Sequence, residues 1–239
     1  MDVTNDLHRY LNPYPSAIGF NIPFLVSNGY IVCTPNIYRI KRKPGEAALI
    51  AVSTAADNLS KFNWVDSTKM GIFGHSFGGF ETNYIATHCN RFRAAIACAG
   101  ASNMIDIYND IYIGVGISKQ GFIKNSAYSM ENDLDKIPNA YIDNSPIFNA
   151  RSLNVPLLLM HNDGDENVSP QQSKMFFVQL RSLKKKVWLI QYDQEKHTLS
   201  QIKNRLDFQN KTMDFFDVYL KGKPMPLWMT DHIRIPKID

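Results

Sequence analysis

Gly74-His75-Ser76-Phe77-Gly78 sets a serine between two glycines, each two residues away. A serine hydroxyl is a weak nucleophile at neutral pH. It becomes useful for acyl transfer when a histidine takes its proton and a carboxylate holds that histidine in one tautomer. The G-x-S-x-G pattern meets the first requirement of such a site when it joins a strand to a helix, because the sharp reversal thrusts the serine out at the carboxyl edge of a sheet. The helix then begins at Phe77, and its N–H, with the positive end of the helix dipole, faces an oxyanion forming beside Ser76.

In this arrangement the acid and then the histidine follow the serine in chain order. His197, in a loop ahead of the last helical pattern, is the expected base. His161 directly ends an apolar run and reads as a buried strand-end residue, while His232, among Asp231 and Arg234, reads as a surface residue. His75 reads as packing for the turn. For the acid, the loop Asn162-Asp163-Gly164-Asp165-Glu166-Asn167 offers three carboxylates, with Asp165 the first choice and Asp163 the second. Glu195 is a rival orienter that reads more simply as a solvated loop acid. Asp163, Asp165 and Asn167 imitate the first ligands of a calcium loop, yet Val168 stands where that loop needs glycine and Lys174 where it needs a bidentate glutamate.

These groups need a scaffold, and the hydrophobic pattern supplies one. Short apolar runs at residues 30–33, 70–73, 94–99, 156–160 and 187–192 read as strands; the last three carry no polar alternation, as expected of strands buried on both faces. Between them, residues 46–62, 80–89, 169–183 and 200–220 read as helices, with Ser169 as N-cap, Pro170 in the first turn, and Gly222 and Pro224 as a stop. The alternation predicts an α/β class, a mostly parallel sheet flanked by helices, formed as one domain over residues 1–239. Residues 101–153 lose the pattern, turn rich in Tyr and Asn, and read as an insertion over the sheet.

Composition excludes several classes. Hydrophobic residues at 44% and charged residues at 20% are those of a folded domain, not of a disordered or fibrous chain. No apolar run approaches the ~20 residues that span a bilayer. The first six residues lack the basic and apolar regions of a secretory signal, so the chain as given is expected to be cytoplasmic. Cys33, Cys89 and Cys98 have neither disulfide nor zinc spacing and read as buried thiols. The net charge of +4 comes from scattered Lys and Arg; the clusters at 39–43 and 184–186 lack interleaved aromatics and read as solvated faces, not as a nucleic-acid surface.

Asn28-Gly29-Tyr30-Ile31-Val32, Trp64-Val65-Asp66, the run from Gly71 to Phe80, Asn144-Ser145-Pro146 and the run from Pro156 to His161 form a series of landmarks. With Asp165-Glu166-Asn167-Val168, Gln171-Gln172-Ser173 and His197, they resemble the catalytic α/β-hydrolase domain of the prolyl oligopeptidase family of serine peptidases. The resemblance covers nearly the whole chain. It implies Ser76 as nucleophile, Asp165 as orienting acid, His197 as base and the Phe77 N–H as oxyanion donor. The expected partner is a peptide or small ester or amide substrate, cleaved through an acyl-serine. It also implies that Asn167 and Val168 border the pocket for the acyl side of the substrate, with Met104 and Ile107 lining it. No cofactor or metal is implied, and homo-oligomerisation is left open. Two features depart from the family: there is no room here for the β-propeller that usually precedes the domain, and the chain begins at or just after the place of an early-strand tyrosine that completes the oxyanion hole. Tyr10 and Tyr14 are poor substitutes for it. A carboxylesterase, or an inactive hydrolase domain serving as an interaction module, are the alternatives.

Overall fold

The computed structural model describes residues 12–230. Helix α1 (Ile22–Ser27) is capped by the Asn21 side chain, which accepts from the Phe24 N–H, and α2 (Pro44–Leu59) opens with proline in its first turn, where no N–H is missed. Strand β1 (Gly71–His75), helix α3 (Phe77–His88) and strand β2 (Ala94–Cys98) follow. The next stretch holds α4 (Met104–Tyr108), a small hairpin of β3 (Ile111–Tyr112) and β4 (Ile117–Ser118), α5 (Gln120–Asn125), α6 (Pro138–Asp143) and a 3-10 turn, Pro146–Ser152. Strand β5 (Leu157–Met160), α7 (Gln171–Ser182), β6 (Val187–Ile190), α8 (Ile202–Lys221) and α9 (Leu227–Thr230) complete the described chain.

The four longer strands pair in parallel in the order β1-β2-β5-β6, with Ile96 opposite Phe73 on one side and Leu158 on the other. Successive side chains of a strand point to opposite faces, and both faces here are covered. Ala95, Ala97, Leu157 and Leu159 pack with Ala48 of α2, Ile85 of α3 and Phe176 of α7. Ile96, Cys98, Leu158 and Met160 pack with Phe208 and Phe215 of α8. That double cover is why β2 and β5 are unbroken apolar runs. The third expected run of this kind differs: β6 is an edge strand in which only Val187 is buried. A separate cluster, including Phe80, Met104, Ile107, Tyr128 and Tyr141, lies under the 101–153 insertion, which is a set of short helices and a hairpin.

Residues 30–33 are a correction to the sequence reading. Tyr30 and Val32 pack against the α8 cluster while Ile31 and Cys33 are exposed, but among the described residues the segment pairs with no neighbouring strand and forms no ladder. Cys33 is thus an exposed thiol, Cys89 is half-buried and only Cys98 is buried. Helix α7 starts one residue later than expected, with Ser169 Oγ accepting from the Gln171 N–H at 3.3 Å. Among the described residues no helix is long and apolar enough to cross a membrane.

The four described strands of the sheet point the same way, so their carboxyl ends share one edge. The segments that follow β1, β5 and β6 meet there, the usual location of a site in an open α/β sheet.

Candidate active site

Ser76 occupies the reversal between β1 and α3 at φ 59° and ψ −118°. A non-glycine residue held there stores of the order of 1–3 kcal/mol of strain. The turn is secured by the Ser76 N–H donating to the Cys98 carbonyl at 2.8 Å and the Phe80 N–H to the Ser76 carbonyl at 3.1 Å. Close packing falls on Gly74, Gly79 and Gly100: a Cβ at Gly74 would overlap the Gly78 carbonyl, one at Gly79 the Cys98 carbonyl, and one at Gly100 the Gly79 backbone. At Gly78, by contrast, a Cβ meets nothing closer than Glu81 Oε2 at 3.9 Å. Sterically, the second glycine that this elbow requires is Gly79, just outside the five-residue pattern.

His197 Nε2 is 2.8 Å from Ser76 Oγ, and its Nδ1 is 2.8 Å from Asp165 Oδ2. An ionised carboxylate only accepts, so Nδ1 carries the proton and Nε2 presents its lone pair to the serine O–H. Asp165 is 2% exposed, and its Oδ1 accepts from the Asn167 N–H at 2.9 Å and the Val168 N–H at 3.0 Å. Burial alone would raise this carboxyl. Hydrogen bonds from His161, His197 and Val168 overcome that and hold it well below the usual carboxylate range, so it stays charged at neutral pH. The arrangement can pass a proton from Ser76 to His197 and stabilise the resulting imidazolium with Asp165.

His161 is buried, as its position at the end of an apolar run suggests, and it also supports the acid. Its Nε2 lies 2.9 Å from the Val168 carbonyl and 3.1 Å from Asp165 Oδ2, so Nε2 carries the proton and Nδ1 accepts from the Ser173 hydroxyl at 2.7 Å. Asp163 is exposed and accepts from the Gln194 N–H at 2.9 Å, away from His197. Glu195 is a second correction: it is fully buried, not solvated. Its carboxylate accepts from the Ser200 N–H and hydroxyl, the Gln201 N–H and Asn204 Nδ2, all within 3.0 Å. Those donors stand at the start of α8, so Glu195 satisfies the orphan amides of that helix and favours its positive end. Burial pushes the Glu195 carboxyl up, but these bonds bring it down to about 2.

A cavity of about 300 Å³ opens beside Ser76 and His197. Phe77, Ile107, Tyr112, Phe122, Tyr128 and Val168 form its walls, with Asn167 and Lys119 as its polar members. Lys119 is almost fully buried and donates to Asp110 Oδ2 at 2.5 Å. Met104 does not line this cavity; it is buried in the same cluster as Ile107 and Tyr128. Tyr112, Lys119, Phe122 and Tyr128 were not singled out from the sequence; the only signal was the density of aromatics in the patternless insertion. Tyr14 is 74% exposed and not among the cavity residues, and Tyr10 and His232 lie outside the described residues. A larger hollow, about 580 Å³, between residues 41–43 and α6, contains none of the three site residues.

The sequence profile of the prolyl oligopeptidase family matches residues 16–223. The chain is 28% identical over 159 residues to an uncharacterized peptidase, YuxL, of Bacillus subtilis, covering 65% of this chain and 23% of that one. It is 25% identical over 219 residues to dipeptidyl-peptidase 5 of Porphyromonas gingivalis, covering 84% and 31%. Among solved structures, the acylaminoacyl peptidase of Pyrococcus horikoshii aligns with a TM-score of 0.69 at 26% identity, over 80% of this chain and 31% of that one. The fold is thus that of the α/β-hydrolase peptidases, and the chain spans about a quarter to a third of the length of these proteins.

Proposed function

The chain belongs to the prolyl oligopeptidase family, and from that membership we propose that it cleaves peptide bonds through an acyl-serine intermediate. Ser76 Oγ attacks the scissile carbonyl as His197 Nε2 takes its proton. The negative charge that develops on the carbonyl oxygen is met by the Phe77 N–H, which starts α3 and has no intrahelical partner. The imidazolium, balanced by Asp165, then protonates the leaving amine, and a water activated by the same His197 releases the acyl group as a carboxylic acid. The acyl-side residue of the substrate occupies the aromatic cavity bordered by Asn167 and Val168.

One observation carries this reading: the unbroken chain of hydrogen bonds Ser76–His197–Asp165, both links at 2.8 Å, with the acid buried. The names of the relatives support peptides over other acyl compounds. The test is turnover of peptide p-nitroanilides beside p-nitrophenyl acetate on one preparation. The proposal expects cleavage of both, with Ser76→Ala losing both while its unfolding curve stays that of the unaltered protein. Turnover of the ester with no amide cleavage at any peptide length would make the chain a carboxylesterase; retention of activity in Ser76→Ala would remove the nucleophile.

A further inference from the structure

The loop that carries His197 is held carbonyl by carbonyl. The Glu195 carbonyl accepts from the Gly164 N–H at 3.1 Å, the Lys196 carbonyl from Asn162 Nδ2 at 2.6 Å, and the His197 carbonyl lies 2.8 Å from His75 Nε2. The first two donors belong to the segment after β5 that also carries Asp165, so they tie the base to its acid. The third belongs to β1, one residue before Ser76, and ties the base to its nucleophile. A carbonyl oxygen has no proton to give, so His75 Nε2 holds the proton and donates it.

His75 is well placed for this. As the last residue of β1 it pairs with Cys98 of β2, which fixes its backbone, and it shares the strand face of Phe73, toward α8. Its ring centroid lies 4.9 Å from that of His197. Burial keeps the imidazole neutral, its pKa pushed down to about 4, with His197, Asp165 and His161 as the titratable groups around it. The donor therefore keeps one charge state across the working range of pH.

We propose that His75 is a positioning residue whose N–H, by holding the His197 carbonyl, sets the separation between His197 Nε2 and Ser76 Oγ. The proposal rests on the reading of Ser76 as nucleophile and His197 as base. With the His197 backbone tethered, only the two side-chain torsions remain to be fixed, and Asp165 and Ser76 fix them. Without the tether, Gly164 and Asn162 still carry the acid–base pair as a unit, but that unit can drift from the serine. A misplacement of about 1 Å at a reacting pair costs on the order of 100-fold in rate.

The variants are His75→Phe, which keeps an aromatic ring but has no donor, and His75→Gln, whose amide can donate to the same carbonyl. The measurements are the second-order rate of fluorophosphonate labelling, kcat and KM on an activated ester, and the pH profile of kcat/KM. His75→Phe is expected to lower the labelling rate and kcat roughly 10- to 100-fold, with KM within about twofold and the pH profile of kcat/KM keeping its shape. His75→Gln should recover most of the loss. Labelling of His75→Phe within twofold of the unaltered protein, or His75→Gln no better than His75→Phe, overturns the proposal. Should His75→Phe fail to fold, nitrogen-resolved NMR of the unaltered protein decides: the His75 ring should be the Nε2–H tautomer with no titration between about pH 5 and 8, and an Nδ1–H tautomer or a midpoint near the ordinary 6.5 overturns the clamp. If the unaltered protein does not label at all, the failure lies with the Ser76 and His197 reading.

Discussion

Asp165→Asn changes one atom and tests the logic of the site. In the native protein Asp165 Oδ2 accepts from His197 Nδ1 and faces His161 Nε2, while Oδ1 accepts from the Asn167 and Val168 amides. Asparagine can keep the Oδ1 bonds, since the two backbone N–H groups demand an acceptor there. Its Nδ2 then presents hydrogens to His197, and the Nδ1–H must leave. The imidazole adopts the other tautomer, with Nε2–H aimed at the Ser76 hydroxyl, and no lone pair remains to take the proton. The same exchange in a serine protease triad costs about 10⁴ in kcat, and about 5 kcal/mol in the barrier follows from about 1.4 kcal/mol per tenfold. Single-turnover acylation by p-nitrophenyl acetate measures this directly, with Asp163→Asn as the control. Asp163 is exposed and its side chain accepts from the Gln194 amide, away from His197, so its variant should stay within about threefold of the unaltered rate, in line with the roughly 0.5 kcal/mol of ordinary surface changes. If Asp163→Asn proved worse than Asp165→Asn at equal stability, or if Asp165→Asn lost less than about tenfold, the tautomer argument would be wrong.

Two further outcomes concern the scaffold. Glu195→Gln turns an acceptor into a donor at the start of α8; the difference between 4.5 and about 2 corresponds to about 3 kcal/mol, or a Tm lowered by about 6–12 °C for a chain of this length. Because the carboxyl titrates lower in the folded state than in the unfolded one, its contribution is full above about pH 5 and fades as pH falls from 4.5 toward 2. Urea midpoints across pH 2.5–7 should therefore fall less steeply on the acid side for Glu195→Gln, and parallel curves would contradict the assignment. Gly79→Ala should cost about 1–3 kcal/mol or more in urea unfolding, whereas Gly78→Ala should be near neutral; the reverse order would refute the account of the elbow.

Much of the site was legible because its chemistry is tied to local pattern. The G-x-S-x-G run between a strand and a helix, the acid loop after a buried apolar run, and a histidine ahead of the last helix each carry their own context, and the three residues do converge. What failed to read depended on contacts distant in sequence or on partners that pattern does not name. Residues 30–33 form an apolar run like that of a strand but find no ladder partner among the described residues, which an apolar run cannot reveal. Glu195 looked like a loop acid because its four donors, from Ser200, Gln201 and Asn204, become donors to it only once α8 begins just beyond them. Tyr112 and Phe122 sit in elements with too few residues or turns to show a period and Tyr128 in the turn after α5, so their meeting in one cavity was hidden. Met104 was expected as a wall residue and is buried in the same cluster as Ile107 without lining the cavity, a distinction that no sequence feature encodes.

The central claim is that Ser76 is a nucleophile activated through His197. Incubation of the intact chain with a fluorophosphonate, followed by whole-protein mass and peptide mapping, tests it most directly. The account predicts one adduct per chain, on the peptide containing Ser76, formed orders of magnitude more slowly in His197→Ala and absent in Ser76→Ala. An adduct on a different residue, or a labelling rate indifferent to the loss of His197, would contradict it.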